Sequence, residues 1–158
     1  MQDQSVTGLG ARMHDSLENL VFSLGEVVGA ERASLFVVDE GRSELRLEVA
    51  QTERGERLDV RMPIHHGVAG MACELGEPVR VHDAYACPRF NREVDAVSGY
   101  RTRSILCVPV RARGGRVAAV LQLLNPIGRL GFSPDDEHEA CASEREIQTL
   151  LGARALVG

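Results

Sequence analysis

The chain has 158 residues, the length of one ordinary domain with a proper core and a flanking helix or two. Its 44% hydrophobic content is globular rather than disordered, and a formal net charge of −5 argues against general nucleic-acid binding, which needs a basic face. No lysine occurs, which rules out a Schiff-base, P-loop or kinase-type lysine in this chain. Every positive charge is an arginine, suited to planar, bidentate contacts. Cysteines stand at 73, 87, 107 and 141 without CxxC spacing, so no zinc site and no thioredoxin-type motif is expected. No signal-like segment and no apolar run of spanning length is present. The sequence reads as cytoplasmic, with reduced thiols and no membrane contact.

Residues 1–7 are polar and are expected as a disordered tail. Leu9, Met13, Leu17, Leu20, Val21, Leu24, Val27 and Val28 then recur at three and four, predicting an amphipathic helix over 8–29 that ends near Gly29. Ala33–Val38 is an apolar strand closed by the turn Asp39-Glu40-Gly41-Arg42. Leu45, Leu47 and Val49 alternate with polar residues, as do Leu58, Val60 and Met62, giving a second strand and a third ended by Pro63. Gly67 marks the start of a helix over 67–75, stopped at Gly76-Glu77-Pro78. Val79–Val81 is extended, Asp83–Phe90 is loop, and Asn91–Val97 is a helical turn or two.

Ser104–Val110 and Val117–Leu124 form a hairpin about Gly114-Gly115. Ser133, followed by Pro134 and three acids, reads as a capped helix start, and a single helix is expected over 134–155. Its apolar face is thin (Ala140, Ile147, Leu150, Leu151), which suits a helix–helix seam. Residues 8–155 thus form one α+β domain, an antiparallel sheet with helices at both chain ends.

The segment Asp83–Pro109 is the most pointed toward function. Asn91, Asp95, Ser98 and Thr102 recur at three or four, so on a helix they would share one face. Seven arginines lie between Arg89 and Arg116 against Glu93 and Asp95, either a solvated surface or a local anion site. Asp83, Tyr85 and Arg89 either gate a ligand or stabilise the loop. Asp95 either reads a ligand or pairs with an arginine. Adjacent His65 and His66 point in different directions and make poor joint metal ligands, so no metal site is expected.

Several motifs in order resemble the GAF domain over Glu31 to Glu137. They are Ala33–Asp39, Gly67-Val68-Ala69-Gly70, Gly76-Glu77-Pro78-Val79, Asp83-Ala84-Tyr85, Pro88-Arg89-Phe90-Asn91, Gly99–Pro109 and Leu121-Gln122-Leu123 before Asn125. The middle block is similar to the subgroup of cyclic-nucleotide phosphodiesterases and cyanobacterial adenylyl cyclases. The resemblance implies a central antiparallel sheet of about six strands. The terminal helices pack on one side, and short helices and loops form a ligand pocket on the other.

The ligand contacts it implies fall on Ser34, Ala50, Gln51, Val68, Ala69, Asn91, Asp95, Ser98, Thr102 and Gln122. Hydroxyl and amide groups among these suit a purine or ribose, and the backbone N–H groups of Val68 and Ala69 suit a phosphate. Two departures stand out. Ala50 and Gln51 replace the aromatic residue and acid usual in nucleotide binders. The signature Asn-Lys, Phe, Asp-Glu is met by Asn125, Phe132, Asp136 and Glu137, but Pro126 replaces the lysine, so no lysine–aspartate pair can form.

The resemblance implies a non-catalytic small-molecule sensor and dimerisation domain of a bacterial signalling protein. Cyclic AMP or cyclic GMP is its candidate ligand. It would form a homodimer through its terminal helices and act on an output domain in the parent chain. Alternatives within the family are a ligand-free dimerisation or docking module, and an enzyme like the free-methionine sulfoxide reductases using Cys73 and Cys87. Haem on a histidine lacks accompanying ligands. Bilin attachment at Cys87 lacks a following histidine and the aromatic residues to enclose a chromophore.

Overall fold

The computed structural model describes the backbone of residues 2–51 and 59–157, and the side chains of residues 11–51 and 59–153. The elements in order are α1 (Gln2–Val28), β1 (Ala30–Asp39), β2 (Glu44–Ala50), β3 (Arg61–Pro63), α2 (Gly67–Leu75) and β4 (Val79–Val81). A single 3-10 turn over Ala84–Ala86 follows, then α3 (Arg92–Ser98), β5 (Ile105–Arg111), β6 (Val117–Pro126), α4 (Pro134–Ala142) and α5 (Glu144–Val157). The strands form one antiparallel sheet in the order β3-β2-β1-β6-β5-β4. The α+β class and the six-strand sheet are as expected from the sequence.

Side-chain parity divides the sheet into two faces. On one face Ala33 and Leu35 of β1, Leu106, Val108 and Val110 of β5, and Ala119, Leu121 and Leu123 of β6 meet the terminal helices. On the other, Phe36, Ile105, Cys107 and Val120 meet α2 and the 3-10 turn. Both faces are covered, which is why β5 and β6 read as unbroken apolar runs while β2, nearer the edge, alternates.

α1 supplies Leu17, Val21, Leu24 and Val28 to the first core, spaced by four, three and four along one helical stripe. Each such buried side chain contributes on the order of 1.5–3 kcal/mol. Gly25 lets the helix approach closely, since a Cβ there would stand 3.0 Å from that of Ala33. No helix among the described residues is long and apolar enough to cross a membrane.

Three boundaries differ from expectation. Helix begins at Gln2, not at residue 8, because nothing before Leu9 forbids propagation from the helix already formed. The third strand is only Arg61–Pro63, although the backbone N–H of Leu47 still donates to the Val60 carbonyl at 2.9 Å; Leu58 lies outside the described residues. The helix expected over 134–155 is two helices. At Ser143 the hydroxyl donates to the Ala140 carbonyl at 2.7 Å, a local bond that competes with helix continuation.

The thin apolar face has a use of its own. Ala140 and Ile147 are fully buried against β5 and α1, with Leu150 and Leu151 packed beside them. The face thought free for a helix seam is part of this chain's core. The outer face of α1 over residues 11–28 is mostly polar, presenting Arg12, Asp15, Ser16, Asn19, Ser23 and Glu26 beside an exposed Val27.

The approach to α2 depends on two glycines for different reasons. Gly67 has φ +68° with open space around it, whereas a Cβ on Gly70 would lie 2.2 Å from the backbone carbonyl carbon of His65. Gly70→Ala is expected to cost about 3 kcal/mol through displacement of that backbone. Gly67→Ala should cost about 1 kcal/mol, from left-handed strain alone. Urea unfolding of both variants checks the order: equal midpoints would contradict the steric account of Gly70.

Candidate functional site

Between the second face of the sheet and its covering segments lies a cavity of about 250 Å³, at the small end of ligand-pocket volumes. Ser34 and Phe36 of β1, Leu47 and Ala50 of β2, Ile105 of β5, and Gln122 and Leu124 of β6 form its floor. The first turn of α2 (Gly67, Val68, Ala69) forms one wall, and Phe90, Asn91, Val94 and Asp95 form a lid. Arg32, Ala33, Gln51, Val60, Met62, His66 and Thr102 complete the lining.

Of the expected contact positions, Ser34, Ala50, Gln51, Val68, Ala69, Asn91, Asp95, Thr102 and Gln122 converge on this cavity. Ser98 does not. It is exposed at the end of α3, where its hydroxyl accepts from the Tyr100 amide at 3.2 Å. Gly99 turns the chain in the left-handed region at φ 76°, so Thr102 reaches the cavity from an extended segment and not from the helix. Asn91, Asp95 and Ser98 belong to α3 or its cap, but only Asn91 and Asp95 of these reach the cavity.

Asp95 is almost fully buried and serves as the acceptor hub of the lid. One carboxylate oxygen accepts from the Thr102 hydroxyl at 2.8 Å; the other accepts from the Thr102 amide at 2.7 Å and from the Tyr85 hydroxyl at 2.8 Å. It pairs with no arginine among the described residues. Arg101 and Arg92 instead stand over the Tyr85 ring, at 4.0 and 5.3 Å from its centroid. The hydrogen bond to Asp95 raises the Tyr85 phenol above its ordinary pKa.

The lid is tied to the entrance of α2. Asn91 caps α3 through its carbonyl oxygen, which accepts from Glu93 N at 3.1 Å, and its amide nitrogen lies 3.0 Å from His66 Nε2. Arg89 donates to the His65 carbonyl at 2.6 Å and meets Glu74 at 3.4 Å. Arg89 thus fastens the loop, and Tyr85 positions Asp95. Asp83 precedes the 3-10 turn without a side-chain cap bond.

Gln51 Oε1 accepts from Ala33 N at 3.1 Å, extending the β1–β2 pairing. On the floor, Ser34 faces Gln122 across β1 and β6 and Ala50 across β1 and β2. Gln122 Oε1 lies 3.6 Å from the Cys107 thiol, whose pKa burial raises strongly.

Among the cavity residues not expected as contacts are Arg32, Phe36, His66 and Phe90. Phe36 follows from strand parity, since it shares a face with Ser34. Phe90 adjoins Asn91 in the same motif. Together these two phenylalanines offer the cavity the aromatic surface that Ala50 lacks.

The signature residues hold the scaffold. Asn125, at φ 54°, accepts from the Arg103 and Ser104 amides at 2.7 and 3.1 Å and donates to the Arg101 carbonyl at 2.8 Å. Phe132 is buried in the helix-side core. Asp136 and Ser133 form a reciprocal capping box on α4. The missing lysine is replaced: Arg129 pairs with Asp136 at 2.5 Å and donates to the Val28 carbonyl at 2.7 Å, joining the end of α1 to the start of α4. Glu137 meets Arg80 at 3.3 Å. The ion pair excluded at Pro126 is therefore supplied three residues later.

Cys73 and Cys87 are partly buried but do not line the cavity, and burial raises the Cys73 thiol pKa. Among the described residues no group of three or more His, Cys, Asp or Glu could hold a metal ion.

A profile of the GAF domain family matches residues 12–143. The chain is 36% identical over 141 residues to a dual 3',5'-cyclic-AMP and -GMP phosphodiesterase 11 of Drosophila melanogaster, an alignment covering 78% of this chain and 9% of that protein. The chain thus spans under a tenth of that relative's length. The GAF domain of a phosphoenolpyruvate-protein phosphotransferase from Coxiella burnetii superposes with a TM-score of 0.78 at 20% identity, covering 96% of this chain and 92% of that one. A free methionine-R-sulfoxide reductase from Neisseria meningitidis superposes at 0.75 with 23% identity, covering 97% and 87%. At such identities the structural likeness speaks for the fold alone.

Two variants test the site's construction. Asp95→Ala leaves two buried Thr102 donors without an acceptor and should lower stability by about 3 kcal/mol, whereas Asp95→Asn, retaining one carbonyl acceptor, should cost about half of that. Denaturant unfolding at neutral pH compares them. For Asp136, burial by itself raises the carboxyl pKa, but hydrogen bonds from Ser133 and the charge of Arg129 outweigh it, and the net shift is downward from 3.8. A depressed folded-state pKa gives stability that is complete above the ordinary carboxylate value and is lost as the pH falls through the lowered one. Asp136→Asn should flatten that acid limb in unfolding curves taken from pH 6 downward; an unchanged limb would refute the linkage.

Proposed function

The chain belongs to the GAF domain family, a family of regulatory and sensor domains, and from that premise we propose that it is a non-catalytic small-molecule sensor whose ligand is a cyclic nucleotide. The observation that carries this reading is the combination of unpaired hydrogen-bonding groups and aromatic surface in one cavity. Among the described residues, the Ser34 hydroxyl and the Gln122 amide nitrogen have no protein partner, and they face each other across β1 and β6. Phe36 and Phe90 supply apolar surface of the kind that accepts a purine. The backbone at the start of α2, at Val68 and Ala69, offers a place for a phosphate. The similarity to a dual cyclic-nucleotide phosphodiesterase supports the same ligand class.

The reductase reading draws less support. Its thiols would have to be Cys73 and Cys87, and neither reaches the cavity. Transmission to an output domain belongs to the sensor proposal, since α1 and α5 pack together and span the ends of the chain. Homodimerisation through these helices belongs to it as well. With their apolar stripes buried in the protomer, such a dimer would use the mostly polar outer face of α1 described above, and its strength would fall with salt.

Thermal unfolding with and without cyclic AMP or cyclic GMP tests the ligand. A ligand at a hundredfold excess over its Kd should raise Tm by roughly 5–10 °C. Ser34→Ala combined with Phe90→Ala should abolish the rise. If neither nucleotide moves Tm at millimolar concentration, the cyclic-nucleotide assignment falls.

A further inference from the structure

We propose that Arg32 is the anion-binding residue of the cavity, holding an oxyanion of the ligand in the plane of its guanidinium. The inference rests on the reading of the cavity as a ligand site and assigns the charge of what enters it. Arg32 lies two residues before Ser34 on the cavity side of β1, about 7 Å away along the strand. That is within the length of one small molecule.

Its guanidinium carbon stands 3.8 Å from the centroid of the Tyr100 ring. Stacking uses the face of the guanidinium. The N–H donors all lie in its plane and remain available for a two-point contact with an oxyanion. Tyr100 is itself fixed. Its hydroxyl lies 2.9 Å from Glu31 Oε1 and 2.9 Å from Asn125 Nδ2. The platform is in place before any ligand arrives, so little order is lost on binding.

The charge around Arg32 is unbalanced. Among the described residues no carboxylate pairs with it. Glu31, the nearest acid in sequence, is engaged by Arg103 at 3.2 Å and by Tyr100. Asp95 also lines the cavity, but its two oxygens already accept three hydrogen bonds from Tyr85 and Thr102. A partly buried guanidinium without a counter-charge favours an anionic partner over a neutral one.

Calorimetric titration of the full chain compares cyclic GMP and cyclic AMP with the uncharged guanosine and adenosine. The charged form should bind roughly ten- to a hundredfold tighter, the margin of a charge-assisted two-point contact. Arg32→Gln should remove that margin and leave nucleoside affinity unchanged; Arg32→Lys, lacking the planar fork, should restore only part of it. A second measurement does not depend on the nucleoside. Inorganic phosphate should shift the Arg32 Nε–H resonance saturably, that resonance being assigned by its loss in Arg32→Gln. Equal affinity for nucleotide and nucleoside, or a preference for the nucleotide that Arg32→Gln leaves unmoved because the start of α2 holds the phosphate, overturns the role of Arg32 and leaves the cavity reading intact. If neither nucleotide nor nucleoside binds, the cyclic-nucleotide reading fails and the phosphate titration decides: a saturable shift supports Arg32, and an unmoved resonance overturns it.

Discussion

The side chain of Asn125 holds together most of what makes the cavity. Its oxygen takes two successive amides, of Arg103 and Ser104, and its nitrogen reaches the Arg101 carbonyl and the Tyr100 hydroxyl. One buried amide therefore fixes the whole connection between α3 and β5. That connection carries Thr102 to Asp95 and Tyr100 to Arg32. An aspartate would lose the donor, and an alanine would leave two backbone N–H groups unsatisfied in a dry site. The left-handed backbone at Asn125, φ 54°, is tolerated because asparagine adopts that region more readily than most residues.

Above this connection, sheet parity separates two jobs. Odd positions of β1, such as Ala33 and Leu35, meet the terminal helices, while Arg32, Ser34 and Phe36 meet the cavity. A one-residue slip of register would exchange the two sets. The register is held by the seven-pair ladder between β1 and β6, by the β5–β6 hairpin, and by Gln51, whose side chain extends the β1–β2 pairing where the ladder ends. Stability of the helix-side core and shape of the cavity floor are thus consequences of one alignment.

This explains what the sequence could and could not disclose. Strands and hairpins were legible because period-two patterning and glycine turns are local. The cap at Ser133 and the stop at Gly76 were legible for the same reason. Nine of the ten positions drawn from short motifs in a fixed order line the cavity; Ser98, although it lies within α3, faces solvent, and Thr102 reaches the cavity only because the chain leaves the helix at Gly99. Arg129 was not legible as the partner of Asp136. It stands three residues beyond the position where the family pattern keeps its cation, and only the path of the β6–α4 loop brings it back. The thin apolar face of the last helix was misjudged because the break at Ser143 redirects its second half onto β5 and α1.

The cavity's polar groups are unequal in a way that bears on signalling. Those of the floor, the Ser34 hydroxyl and the Gln122 amide nitrogen, have no protein partner among the described residues, while Gln122 Oε1 meets the Cys107 thiol. Those of the lid are bonded to one another: Asp95 to Thr102 and Tyr85, Asn91 to His66 and the start of α3. A ligand that meets only the floor gains hydrogen bonds worth about 1 kcal/mol each and displaces nothing in the protein. A ligand that also engages the lid must exchange bonds there, and the exchange frees Tyr85 or His66. Only the second kind would distinguish a lid holding these bonds from one that has released them, and only differential affinity shifts a conformational equilibrium. For the proposed sensor, affinity can therefore come from β1 and β6, while a signal would have to pass through Asp95 and Asn91.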